Sequence, residues 1–108
     1  MKIGVPKEIK NHEYRVGLIP SGVKELVHNG HEVSVETNAG AGIGYSDSEY
    51  LAAGAQIMES AADIFNYGEM IIKVKEPQAI ERARLRKGQV LFTYLHLAPD
   101  LAQTEELI

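Results

Sequence analysis

The segment "EMIIKVK" (69–75) restricts the fold more than any other feature of this chain. It is apolar almost throughout. A strand with one face on the core and one in water alternates apolar and polar residues. A run of this kind is expected where both faces are covered, as in parallel sheets flanked by crossover helices. "QVLFTYLHL" (89–97) is a second strongly apolar strand of the same kind of composition.

The remaining segments supply the helices and strands such a sheet needs. "KIGVP" (2–6) is a short apolar run ended by proline, a first strand. "PSGVKELVHNG" (20–30) sets Val23, Leu26 and Val27 at helical spacing, with Pro20 suited to its start and Gly30 to its end. "EVSVE" (32–36) alternates with β-branched residues and predicts a second strand. "SDSEYLAAG" (46–54) and "SAADIFNYG" (60–68) read as short capped helices on either side of a weak strand, "AQIME" (55–59). "PQAIERARLRKG" (77–88) predicts a polar helix, and "PDLAQTEELI" (99–108) opens another. Strand and helix alternate. The expected class is α/β: a mostly parallel, Rossmann-like (flavodoxin-like) three-layer sheet with flanking helices and right-handed connections. No capping glycine or polar tail closes the last helix, so the sequence reads as a segment of a longer protein.

Composition removes several functions. The 108 residues, 44% of them hydrophobic, suffice for one core. A net charge of −4 argues against nucleic acid, which is held largely by basic patches. There are no cysteines, which excludes disulfides, thiolate metal sites and cysteine nucleophiles. "MKIGVPKE" lacks the apolar stretch of a signal peptide, and no apolar run approaches the roughly 20 residues needed to span a bilayer. The expectation is a cytoplasmic domain without membrane or nucleic-acid partners. The histidines His12, His28 and His31 show no i, i+4 pairing, so no metal site is expected.

"ETNAGAGIGYSD" (36–47) raises the question of a dinucleotide cradle. The fingerprint requires G-x-G-x-x-G between a strand and a helix, so that backbone can approach a pyrophosphate. Here Gly40, Gly42 and Gly44 alternate, Tyr45 stands where the third glycine is needed, and Asp47 would repel phosphate. The loop reads as a tight structural connection whose "GYSD" caps the next helix. No residue of this chain is assigned to a cofactor.

In a parallel sheet, ligands bind outside the carboxyl ends of the strands. Arg15 follows the first strand, Lys75 closes "EMIIKVK", and His96 closes "QVLFTYLHL". Arginine grips a carboxylate with two parallel hydrogen bonds. Lysine supplies a point charge that polarises a carbonyl, and histidine exchanges protons near neutrality. Together they suit an anionic α-keto or α-amino acid. Plainer explanations stand beside these: Arg15 pairing with Glu8 or Glu13, Lys73 rather than Lys75 in the site, His96 tied to backbone, and Tyr94 packing rather than lining a pocket.

"GVPKEIKNHEYRVGLIPSGVKELVHNGH", with "ETNAGAGIGYSD", "VKEP" and "VLFTYLHLA", resembles the N-terminal signature shared by alanine dehydrogenases and proton-pumping nicotinamide nucleotide transhydrogenases. The resemblance spans the whole chain. The lysine of "KVKEP" and the histidine of "YLHLA" favour the alanine dehydrogenase branch. It implies NAD-dependent, reversible oxidative deamination of L-alanine to pyruvate and ammonia. On the matching positions it implies that Arg15 holds the substrate carboxylate, Lys75 contacts the substrate and polarises the carbonyl or imine, and His96 is the general acid and base. It also implies that residues 1–108 are the N-terminal part of a substrate-binding domain. NAD would be bound mainly by a Rossmann domain downstream, a C-terminal segment would return to complete the domain, and the protein would be a homohexamer. The segment alone is expected to be inactive. Gly17 and Ile19 depart from the alanine and the threonine or serine usual in the family, as does His12 from a small polar residue. The alternatives are a transhydrogenase-like domain and a non-catalytic module that binds a small carboxylate.

Overall fold

The computed structural model describes residues 1–9, 16–74, 84–85 and 88–93. Its five strands are β1 (Lys2–Val5), β2 (Glu32–Glu36), β3 (Gln56–Met58), β4 (Met70–Lys73) and β5 (Val90–Thr93). They form one sheet in the order β3-β2-β1-β4-β5, and every pairing is parallel. Three α-helices are described: α1 (Pro20–His28), α2 (Asp47–Ala52) and α3 (Ala61–Tyr67). The expected strands and these helices are all present, and all but the last strand, whose expected end at 97 is not described, lie within a few residues of their expected ends. A short 3₁₀ turn, Ala41–Ile43, inside the glycine loop was not foreseen. The helix expected over 99–108 and the last part of "QVLFTYLHL" lie outside the described residues, as does most of 77–88.

Side-chain alternation along the strands sorts the core into two layers. Ile3, Val5, Val33, Val35 and Ile72 point to one face, where they pack with Val23 of α1 and Tyr50 of α2. Ile71 points to the other, with Ile64 and Phe65 of α3. The distribution follows from right-handed crossovers. The chain steps outward from β1 through β2 to β3 with α1 and α2 on one face, then returns to β4 past β1 with α3 on the opposite face. Ile71 and Ile72 are both buried, as the apolar run Met70–Ile72 of β4 requires.

The edge strand β5 behaves differently. Val90 and Phe92, which share a face with Ile72, are 47% and 50% exposed. Leu85, at the approach to β5, packs with the α3 cluster on the other side of the sheet. Among the described residues, no helix lies over the Val90–Phe92 face. At the opposite end of the strand, the Gln89 amide donates to the carbonyls of Phe65 and Gly68 at 2.7 and 2.6 Å, satisfying the end of α3.

Candidate functional site

A doubly wound sheet has one place where consecutive connections diverge to opposite faces. There the strand ends part and leave a crevice. In this chain that point lies between β1 and β4, at their carboxyl ends.

The polar groups at this edge form a connected set. Lys73, the last residue of β4, is 1% exposed, and its Nζ donates to Oε1 of Glu8 at 2.8 Å. Glu8 lies just beyond β1 and is also buried. Its other oxygen, Oε2, accepts the backbone N–H of Val74 at 3.1 Å. The carbonyl of Val74 accepts the Thr93 hydroxyl, from the end of β5, at 3.0 Å. On the other flank, the N–H of Lys7 donates to Glu36 at the end of β2 at 2.8 Å. Val74 is thus held through both its N–H and its C=O. A buried ion pair is retained only with this kind of polar support, because desolvating two charges is costly.

The chain comes back to the same place at Val16 and Gly17. A Cβ on Gly17 would stand 2.5 Å from the Ile72 carbonyl oxygen and 2.8 Å from the Lys73 Cα. Only glycine permits this backbone-to-backbone approach without a shift.

Arg15, Lys75 and His96 all lie outside the described residues, as do His12, Glu13 and Tyr94. Their described neighbours are Val16, Val74 and Thr93. The strands that precede the three candidates, β1, β4 and β5, are adjacent and parallel, so their carboxyl ends share one edge. Sequence reasoning offered Glu8 as a partner for Arg15 and Lys73 as a rival to Lys75. The structure joins Glu8 and Lys73 to each other. The signal for that pair was weak: two charged residues flanking apolar strands, 65 positions apart.

The glycine loop is closed upon itself. Asp47 accepts the Thr37 hydroxyl at 2.5 Å and the Asn38 N–H at 2.9 Å. Ser46 caps α2 and forms a reciprocal capping box with Glu49. A Cβ on Gly40 would meet the Tyr50 ring at 2.8 Å, and Tyr50 is fully buried, its hydroxyl donating to the Leu18 carbonyl at 2.8 Å. Burial, followed by the nearby Tyr45, Glu49 and Asp47, pushes the Tyr50 hydroxyl up to about 12. The N–H groups of Asn38, Ser46 and Glu49 are taken by Asp47 and the capping box, those of Ala41, Ile43, Gly44 and Tyr45 donate to carbonyls of the loop itself, and the Asp47 carboxylate would repel a phosphate, so these residues do not fit a dinucleotide. Among the described residues no group of three or more His, Asp or Glu side chains gathers for a metal, and no helix is long and apolar enough to cross a membrane.

An all-parallel α/β domain with its polar groups at the switch point belongs to the class that binds small ligands at strand ends. Residues 4–108 match the family described as alanine dehydrogenase/PNT, N-terminal domain. Over all 108 residues the chain is 57% identical to an alanine dehydrogenase of Halomonas elongata and 53% identical to one of Methanococcus maripaludis, covering 29% of each. A solved L-alanine dehydrogenase superimposes with a TM-score of 0.91 at 55% identity, covering 99% of this chain and 29% of that one. A transhydrogenase from Sinorhizobium meliloti gives 0.87 at 32% identity, covering 95% and 29%. The chain belongs to the alanine dehydrogenase/PNT N-terminal domain family. It spans under a third of the length of the curated relatives it matches.

Proposed function

We propose that this chain is the N-terminal part of the substrate domain of an L-alanine dehydrogenase, which interconverts L-alanine with pyruvate and ammonia. In this reading Arg15 binds the substrate carboxylate. Lys75 contacts the substrate and polarises its carbonyl or imine, and His96 moves the proton at the reacting centre. NAD takes up or delivers the hydride and is bound by sequence beyond this segment, consistent with a glycine loop that does not fit it. The full protein acts in the cytoplasm as a homohexamer.

One observation carries the reading. The three segments bearing an arginine, a lysine and a histidine follow three neighbouring parallel strands, at the edge where this architecture binds ligands. Identities of 46–57% to alanine dehydrogenases, against 32% to the transhydrogenase, favour the dehydrogenase over a hydride-exchange domain.

The test is Arg15→Ala in the full-length enzyme. A charge-assisted hydrogen bond contributes about 1.5–3 kcal/mol, so KM for pyruvate should rise at least roughly tenfold. An unchanged KM removes Arg15 from the site.

A further inference from the structure

The geometry points to Glu8, Lys73 and Thr93 as a positioning clasp that fixes the strand ends from which the substrate groups extend. The inference rests on the reading above, since it concerns how Arg15, Lys75 and His96 are held. None of the three clasp residues is assigned contact with substrate.

The clasp connects three strand ends. Glu8 comes from the β1 exit, Lys73 and Val74 from the β4 exit, and Thr93 from the end of β5. Val74 is the residue immediately before Lys75, and both of its backbone polar groups are engaged, one by Glu8 and one by Thr93. Thr93 lies three residues before His96. Gly17, two residues after Arg15, packs on the backbone of Ile72 and Lys73.

In sequence, Lys75 is one residue from Val74, Arg15 two from Gly17 and His96 three from Thr93, so the clasp sets the points from which these segments leave the sheet. Burying a charge pair is a costly way to gain stability, because apolar residues of the same volume often do as well. It is an effective way to fix direction, since both carboxylate oxygens of Glu8 are committed to different atoms of the β4 exit. Misplacing a reacting group by about 1 Å can cost around a hundredfold in rate, which gives such a clasp its use.

Thr93→Val tests this most cleanly. It keeps the shape of the side chain and deletes only the hydroxyl that donates to Val74. In the full-length enzyme it should lower kcat/KM for L-alanine at least about fivefold while KM for NADH stays within about twofold; Thr93→Ser should restore most of the loss. A second variant, Glu8→Leu with Lys73→Met, removes both charges together and so leaves neither buried alone. It should raise KM for L-alanine by about tenfold or more, again with NADH unaffected. If the double variant does not fold, Thr93→Val decides alone. Thr93→Val with kcat/KM for alanine within about twofold of wild type overturns the clasp. So does a loss that Ser fails to rescue, or one that falls equally on alanine and NADH. Failure of the functional reading is distinct: Arg15→Ala would leave KM for pyruvate unchanged whatever Thr93→Val does.

Discussion

The glycine loop after β2 and the clasp joining β1, β4 and β5 sit at the same edge of the sheet, yet they are built in opposite ways. The loop carries the residues that attract attention in a sequence, and its polar side chains are used internally: Asp47 closes on Thr37 and Asn38, and Ser46 on Glu49. The clasp has no motif. Its partners come from distant segments, Glu8 with Lys73 and Thr93 with Val74, and they lie next to the residues proposed to meet substrate. A glycine-rich loop closed by its own backbone turns and by the side chains of Asp47, Ser46 and Glu49 reads as architecture. A buried charge pair at the switch point, made between the exits of β1 and β4 and flanked by the end of β5, carries a cost that a purely structural contact does not require.

The largest effect should come from splitting the clasp. Lys73→Met removes the buried cation that faces Glu8, and breaking a buried pair from one side typically costs about 3–5 kcal/mol. The full-length protein should lose that much in chemical unfolding, and most of it should return when Glu8→Leu is added. A single variant as stable as the double would show that the pair is not electrostatically coupled, and the contrast with the loop would fail.

Breaking the loop should have a smaller and different consequence. Asp47→Ala removes the charged acceptor of the part-buried Thr37 hydroxyl and the exposed Asn38 N–H, at a cost of about 1–2 kcal/mol because water can take its place. Thermal unfolding should register the loss, while KM for L-alanine in the full-length enzyme should not move. A changed KM would place the loop in the substrate site and undo its reading as architecture.

The same contrast explains what could be read from the sequence. β2 was legible because its alternation of Val33 and Val35 with polar neighbours needs only five consecutive residues. The cap of α2 was legible because Ser46 and Glu49 are three apart. The consecutive apolar residues Met70–Ile72 marked β4 as covered on both faces, and Ile71 and Ile72 are buried. The Glu8–Lys73 pair was not legible, because it depends on which strands become neighbours and in what register, and β4 pairs with β1 only after the chain has passed through β2 and β3. The same topology left Phe92 half exposed on an edge strand whose composition matches that of a central one. Strand order was the missing quantity in each case, and composition does not encode it.

The smallest effect, and the one that most sharpens the view of the loop as a self-contained structural unit, is the ionisation of Tyr50. This hydroxyl is buried and donates to the Leu18 carbonyl, which links α2 to the segment entering α1. Burial first, then the neighbouring Tyr45, Glu49 and Asp47, raises it from 10.0 to about 12. Below pH 10 the proton is held in both folded and unfolded states, and the stabilisation is fully present. Between 10 and 12 the unfolded chain has lost the proton while the folded chain keeps it, so the unfolded state binds fewer protons and stability falls as pH rises. Tyr50→Phe has no proton to lose. At pH 8 it should be less stable by about 1 kcal/mol for the missing hydrogen bond. That deficit should shrink steadily as pH is raised from 10 to 11, while KM for L-alanine at pH 8 stays at the wild-type value. Urea midpoints of the two full-length proteins, measured side by side at pH 8, 10 and 11, give the difference directly. A deficit that stays constant across the series would mean that folding does not hold the Tyr50 proton above its ordinary range, and the absence of any deficit at pH 8 would mean that its hydroxyl does not tie the loop to the helix entrance.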